Sequence, residues 1–160
     1  MRINLVWGDG IQTGADFLTI NPYCNEETDA VKMGNPRNLD KWVDNGEAAE
    51  ILAYDVIDFL EPTQVFDTIN HWVGKLAHGG KIVIGGTDIY NVCLDFSRFK
   101  INIVQANKAL HGSFEKPFLF RRVNYTLDGL VNQLRDCGLK ILKKRFDTET
   151  YMMTVEAIRP

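Results

Sequence analysis

A chain of 160 residues, 45% hydrophobic and 24% charged, is long enough for one domain with a core of its own. Its net charge of −3 argues against an electrostatic nucleic-acid binder. No apolar run reaches the roughly 20 residues of a bilayer span, and the apolar start at Met1–Trp7 is too short for a secretory leader, so a cytoplasmic protein with no membrane partner is expected.

Cysteine and histidine usage adds a second exclusion. Cys24, Cys93 and Cys137 lie far apart with no C-x-x-C, and His71, His78 and His111 do not join them at ligand spacing. Neither a disulfide framework nor a metal site is expected. His71 and His78 are expected two turns apart on one helix.

Arg2–Trp7 is apolar and partly β-branched, a first strand, and it runs into Gly8-Asp9-Gly10 with Gly14 beyond. Glycines directly after a strand allow positive φ and let a ligand approach main-chain amides closely. A nucleotide cradle and a plain turn use the same residues. Phe17–Ile20 reads as a second strand ending at Asn21, with too few residues after Gly10 for a long crossover helix. Both the short crossover and the missing acidic residue at Asn21 disfavour a nicotinamide dehydrogenase.

Ala30–Met33 reads as a short edge strand, Gly34–Asn38 as a turn, and Leu39–Asn45 as one helical turn with Trp42 tucked inward. The centre of the chain is a strand–helix–strand unit. Its first strand, Glu50–Ile57, stops at Asp55, Asp58, Glu61 and Pro62. Thr63 is the candidate cap of a helix carrying Val65, Phe66, Ile69, Trp72, Val73 and Leu76 on one side. Gly79-Gly80 should end that helix and feed the strand Lys81–Gly86, whose unbroken apolar character suits a parallel strand buried on both faces.

Beyond Thr87-Asp88, apolar residues at helical spacing reach about Leu110, with a break near Phe99-Lys100. Ser113–Val123 is a loop or short strand rich in phenylalanine (Phe114, Phe118, Phe120). Tyr125-Thr126 caps a helix that ends at Cys137-Gly138. Leu139–Phe146 and Tyr151–Ile158 are joined too tightly for anything but an antiparallel hairpin.

On these residues the chain resembles the class I, Rossmann-like family of S-adenosylmethionine-dependent methyltransferases, in particular short members with a nearly absent first crossover. The family's Leu-Asn-Leu-Gly-Cys-Gly-like loop and its strand ending in Asn-Val-Asp correspond to Ile3–Gly8 and Leu18–Asn21. Its fourth strand, Glu-Ile-x-Ala-x-His-Val-Leu-Glu-His, corresponds to Glu50–Phe59. Its Lys-Pro-Gly-Gly corresponds to Ala77–Gly80, and the closing hairpin is also typical. The resemblance implies a single α/β domain: a three-layer Rossmann-like sheet, mostly parallel, closed by a C-terminal antiparallel hairpin.

The same resemblance implies the cofactor S-adenosylmethionine, a small-molecule substrate such as a sugar or other metabolite, and a cofactor site at Trp7, Gly8, Asp9, Gly10, Asn21, Asn35 and Tyr54. Several letters depart from the family. The first loop glycine falls on Val6, or on Gly8 in the alternative register. The ribose carboxylate falls on Asn21 and the adenine-side carboxylate near Asn35. The substrate-facing histidines become Asp55 and Phe59. An amide in place of a carboxylate loses about 1–3 kcal/mol of charge-assisted hydrogen bonding. If the chain is active, Asp55 or Asp58 is the candidate catalytic base for a hydroxyl acceptor, at the strand end where open α/β sheets place ligands. Tyr54 and the phenylalanine loop are candidate walls. The alternative is an inactive methyltransferase fold kept as a binding or assembly module, and a third reading is another nucleotide-dependent enzyme on the same sheet. With no element ahead of the first strand to cover a cofactor, a homo-oligomer partner is a further expectation.

Overall fold

The computed structural model describes residues 1–9, 14 and 16–160, so Gly10 lies outside the described residues. Seven strands among them form one sheet: β1 (Arg2–Leu5), β2 (Leu18–Asn21), β3 (Val31–Met33), β4 (Ala48–Ala53), β5 (Leu76–Thr87), β6 (Lys140–Phe146) and β7 (Met152–Ile158). The helices are α1 (Val65–Lys75), α2 (Ile89–Ser97), α3 (Ile103–His111) and α4 (Leu127–Asp136). Strand order is β3-β2-β1-β4-β5-β7-β6, parallel throughout except for β7, which runs antiparallel to both neighbours. The chain leaves β1 toward β2 and β3 and then returns to β4 on the other side. That reversal between β1 and β4 is the topological switch point at which such sheets bind ligands.

Register decides which residues share a face. Ile3, Ile51, Ile82, Ala157 and Ile141 are successive partners across the sheet. Most of that row, with Ile84, Val155 and Met153, forms one core with Val65, Ile69 and Trp72 of α1 and Leu130, Val131 and Leu134 of α4. The opposite face carries Asn4, Tyr54, Val83, Thr154 and a row of charges, Arg2–Glu50–Lys81–Glu156, joined by ion pairs. Helix α3 stands across a cavity from this second face.

Several boundaries differ from the sequence expectation. β4 stops at Ala53, and Ile57–Phe59 form a 3₁₀ turn. Thr63 does not cap α1; it sits inside a 3₁₀ turn, Pro62–Gln64, that leads into the helix. The helix ends at Lys75, before Gly79-Gly80, because β5 already starts at Leu76. Between Leu76 and Lys81 the strand bulges out of register with β4. Gly79 has φ +74°, and a Cβ on Gly80 would meet the Ala48 carbonyl oxygen at 2.9 Å. The glycines therefore shape a bulge. Arg159 in turn caps the end of α1, donating to the carbonyls of Val73 and Leu76 at 3.1 and 2.5 Å. His78 consequently lies in the bulge, away from the helix of His71.

Other expectations stand. Thr126 caps α4, and Asp88, which opens the helical segment, caps α2; Asn102, not singled out from sequence, caps α3 with a reciprocal bond to Gln105. The helical break falls at Phe99, which has φ 57°. Trp42 is half-buried over Gly34.

Trp72 is the largest fully buried side chain, and its indole N–H donates to the Pro36 carbonyl at 2.7 Å, tying α1 to the segment after β3. Trp72→Ala should cost about 3–5 kcal/mol, measurable as a lowered midpoint in urea with an unchanged slope.

Candidate ligand site at the carboxyl ends of β1 and β4

A cavity of about 900 Å³ opens at the carboxyl ends of β1, β4 and β5, bounded by Trp7, Tyr54, Asp55, Thr87 and Arg121, with α3 on the far side. It lies at the switch point, and its position follows from the topology. Tyr54 is exposed into the strand-end space because β4 has already ended at Ala53.

At its floor a single guanidinium holds two carboxylates. Arg121 contacts Asp55 through both terminal nitrogens, at 2.5 and 2.9 Å, and donates to Asp58 Oδ2 at 2.9 Å. The two carboxylates differ sharply in environment. The Asp55 side chain is 40% exposed, whereas that of Asp58 is fully enclosed. Asp58 Oδ2 also accepts the Thr87 amide at 2.8 Å, while its Oδ1 has no hydrogen-bond partner. A Cβ on Gly86 would come within 2.5 Å of that Oδ1, so glycine is required there for the carboxylate to fit. The Asp58 carbonyl accepts the amides of Arg122 and Val123 at 2.6 and 3.1 Å. Burial pushes the Asp58 carboxyl up to about 7, and Arg121 only partly offsets this because it is shared with Asp55.

The tips of β1 and β2 carry a row of aromatic rings. The Trp7 indole lies parallel to Phe59 with centroids 6.0 Å apart and edge-on to Tyr23 at 5.4 Å. Tyr23 stacks on Phe118 at 3.8 Å, with planes 9° apart. Trp7 Nε1 donates to the Phe118 carbonyl at 2.7 Å, and the Arg121 guanidinium sits 4.9 Å from the Phe59 ring centre. Phe118 and Leu119 close directly over Gly8, where φ is +77°: a Cβ there would meet Leu119 at 2.8 Å and Phe118 at 3.1 Å. Asn21 is buried and its amide is fully engaged, donating to the Gly8 carbonyl at 2.7 Å and accepting from the amides of Gly8 and Tyr23 at 3.3 and 3.0 Å. An aspartate would lack the donor in the first of these bonds.

The structure thus divides the residues singled out from sequence. Trp7, Tyr54 and Asp55 share the cavity at the ends of β1, β4 and β5. Asp58 lies behind them, linked through Arg121. Gly8, Asp9 and Asn21 line a neighbouring hollow beside β2 and β3, where Asp9 pairs with Lys116 at 2.8 Å. Asn35 is exposed, accepts the Arg37 amide at 3.0 Å, and borders a separate depression near His71. Sequence reasoning did not single out Arg121 as the partner of the two aspartates. The signal was present only as two acidic residues with no partner in the strand motif. Among the described residues no three His, Cys, Asp or Glu side chains come together as a metal site, and no helix is long and apolar enough to cross a membrane.

Solved structures share this architecture. A chain of the complex between the Haloferax volcanii Trm112 methyltransferase activator and a protein described as a methyltransferase superposes with a TM-score of 0.65 at 10% identity, over 99% of this chain and 82% of that one. A Burkholderia thailandensis 1,6-didemethyltoxoflavin-N1-methyltransferase, solved with 1,6-didemethyltoxoflavin and S-adenosylhomocysteine bound, gives 0.63 at 9% identity over 98% and 70%. Magnesium protoporphyrin IX methyltransferase of Synechocystis PCC 6803, with bound S-adenosylhomocysteine, gives 0.55 at 11% identity over 82% of this chain, which spans only 51% of that protein. At such identities the likeness shows the fold, the Rossmann-like sheet of class I methyltransferases. The sequence matches no family model and no curated protein.

A carboxyl that keeps its proton to about 7 when folded, against 3.8 when free, stabilises the fold below that window and withdraws the contribution as pH rises through 7. His71 acts in the opposite sense at lower pH, since burial depresses it and its Nε2 accepts the Leu39 amide. Asp58→Asn should therefore flatten the fall in melting temperature between about pH 4 and pH 7, measured by circular dichroism, and leave the profile above that range unchanged.

Proposed function

We propose that this protein is an S-adenosylmethionine-dependent methyltransferase acting on a small molecule. The observation that carries the reading is the cavity of about 900 Å³ at the switch point, with the exposed carboxylate of Asp55 inside it. The solved neighbours add support through their own ligands, S-adenosylhomocysteine in two of them and a small heterocyclic substrate in one. The cavity has room for an adenosyl group, bounded by Trp7 and Tyr54. A second hollow of about 910 Å³ opens beside Gly8 and Asn21, although Phe118 and Leu119 fill the space a Cβ on Gly8 would take.

When bound, S-adenosylmethionine supplies an electrophilic methyl group. The protein's part is to align the acceptor and exclude water. Asp55 is the group placed to take a proton from a hydroxyl acceptor, because its bidentate contact with Arg121 fixes the carboxylate plane and leaves the outer lone pairs toward the cavity. Asp58, enclosed behind Arg121, positions that guanidinium and does not reach a substrate.

A second reading, a binding or assembly module on the same fold, is favoured by one observation: the neutral Asn21 both donates to and accepts from the Gly8 backbone where the family has a carboxylate. Thermal shift and calorimetry with S-adenosylmethionine and S-adenosylhomocysteine separate the two. The methyltransferase reading expects saturable stabilisation, about 2.7 kcal/mol at a hundredfold excess over Kd. No response at millimolar ligand would replace it with the module.

A further inference from the structure

Helices α2 and α3 form a hairpin whose surface is mostly open. Of α2 only Val92 is buried, and of α3 only Ala106. The Tyr151 hydroxyl, donating to Asp95 Oδ2 at 2.7 Å, ties the end of α2 to the residue just before β7. Beyond that tie the chain turns from α2 into α3 and carries exposed apolar side chains. Phe96, Phe99, Ile103 and Val104 are 42, 95, 56 and 70% exposed. Single exposed hydrophobes are ordinary on a protein surface, whereas four at one turn mark an interaction site.

Phe99 is the extreme case. Its backbone lies in the left-handed region, φ 57°, where glycine or asparagine fits at lower cost. A phenyl ring held there almost wholly in water is unfavourable twice, in backbone and in hydration. Arg98 and Lys100, both exposed, flank it. Lys100 lies 3.7 Å from Asp95, and Arg98 makes no ion pair among the described residues. An aromatic ring at a turn with a cation on each side matches a layer that is anionic outside and apolar beneath. Pairing this turn with its own copy would instead bring two pairs of like charges together, which disfavours a second copy as the occupant.

We propose that the turn between α2 and α3 docks the protein on an anionic lipid surface, with Phe99 entering the layer beneath the headgroups and Arg98 and Lys100 pairing with their phosphates. Such a contact needs no membrane-crossing helix. Charges more than about 8 Å apart are largely screened at physiological salt, so the cations of the turn act at the surface rather than the net charge of −3. Two cations and a few apolar side chains give reversible attachment, well short of a lipid anchor. Ile101, in the same turn, lines the cavity that contains Asp55, so a docked turn brings the lipid surface to the edge of the candidate site. The inference stands apart from the proposed activity.

The test is co-sedimentation of the full chain with sucrose-loaded vesicles, made either of phosphatidylcholine alone or of equal parts phosphatidylcholine and phosphatidylglycerol. The parent should sediment with the anionic vesicles, less with the zwitterionic ones, and dissociate in high salt. Phe99→Asn removes the ring and relieves the backbone, so it should melt no lower than the parent and bind about tenfold more weakly. The double change Arg98→Glu with Lys100→Glu should weaken binding to the anionic vesicles by about tenfold or more. Tyr90→Ser, which removes an exposed ring at the far end of α2, should bind as the parent does. No sedimentation of the parent with anionic vesicles would overturn the inference, as would equal binding by the parent and Phe99→Asn. A dimer in sedimentation velocity that Phe99→Asn dissolves, with no vesicle binding, would overturn it and assign the turn to a second copy.

Discussion

The Arg121 guanidinium, held between Asp55 and Asp58, is the interaction on which the carboxyl end of this sheet depends. It ties the segment returning from α3 to α4 to the ends of the paired strands β4 and β5, reaching the latter through Asp58 and the Thr87 amide. Two carboxylates side by side would repel without a cation between them, and the buried one would lack a charged partner. Removing one member of such a buried set characteristically costs about 3–5 kcal/mol, because a desolvated charge is left behind. Asp58 meets that cost partly by holding its proton, which is why its environment differs so much from that of Asp55 at the same guanidinium.

From that clamp the aromatic row follows. With Arg121 fixed over Phe59, the residues just before it are brought onto the tips of β1 and β2, where Trp7 and Tyr23 present ring faces and edges. The outcome is an asymmetric site. On the β4–β5 side a broad cavity stays open with an exposed carboxylate. On the β1–β2 side Phe118 and Leu119 pack against Gly8 beside a second hollow lined by Asn21 and Tyr23.

The helical layers explain why the site sits where it does. α1 and α4 bury one face of the sheet, and their apolar stripes are matched to the row from Ile3 to Ala157. The other face is served by an ion-paired row and by α3 at a distance, so the space at the strand ends is left open.

The amino-acid sequence by itself determined the strands, the helices and their order. Periodicity and turn chemistry are local properties: the apolar run of β5, the stripe of α1, the caps at Asp88 and Thr126 and the closing hairpin are all written within a few residues of where they act. Strand ends were less legible, because Asp55 and Ile57 look like strand residues until one sees that β4 has lost its partners after Ala53. Gly79-Gly80 read as a helix stop for the same reason, since a bulge and a stop use the same glycines. Only the tertiary structure decided the site. Arg121 meets Asp58 across 63 positions and Trp7 meets the Phe118 carbonyl across 111. Such pairs leave no periodic trace, because their spacing is set by where the folded loops return and by which charges the core is forced to enclose.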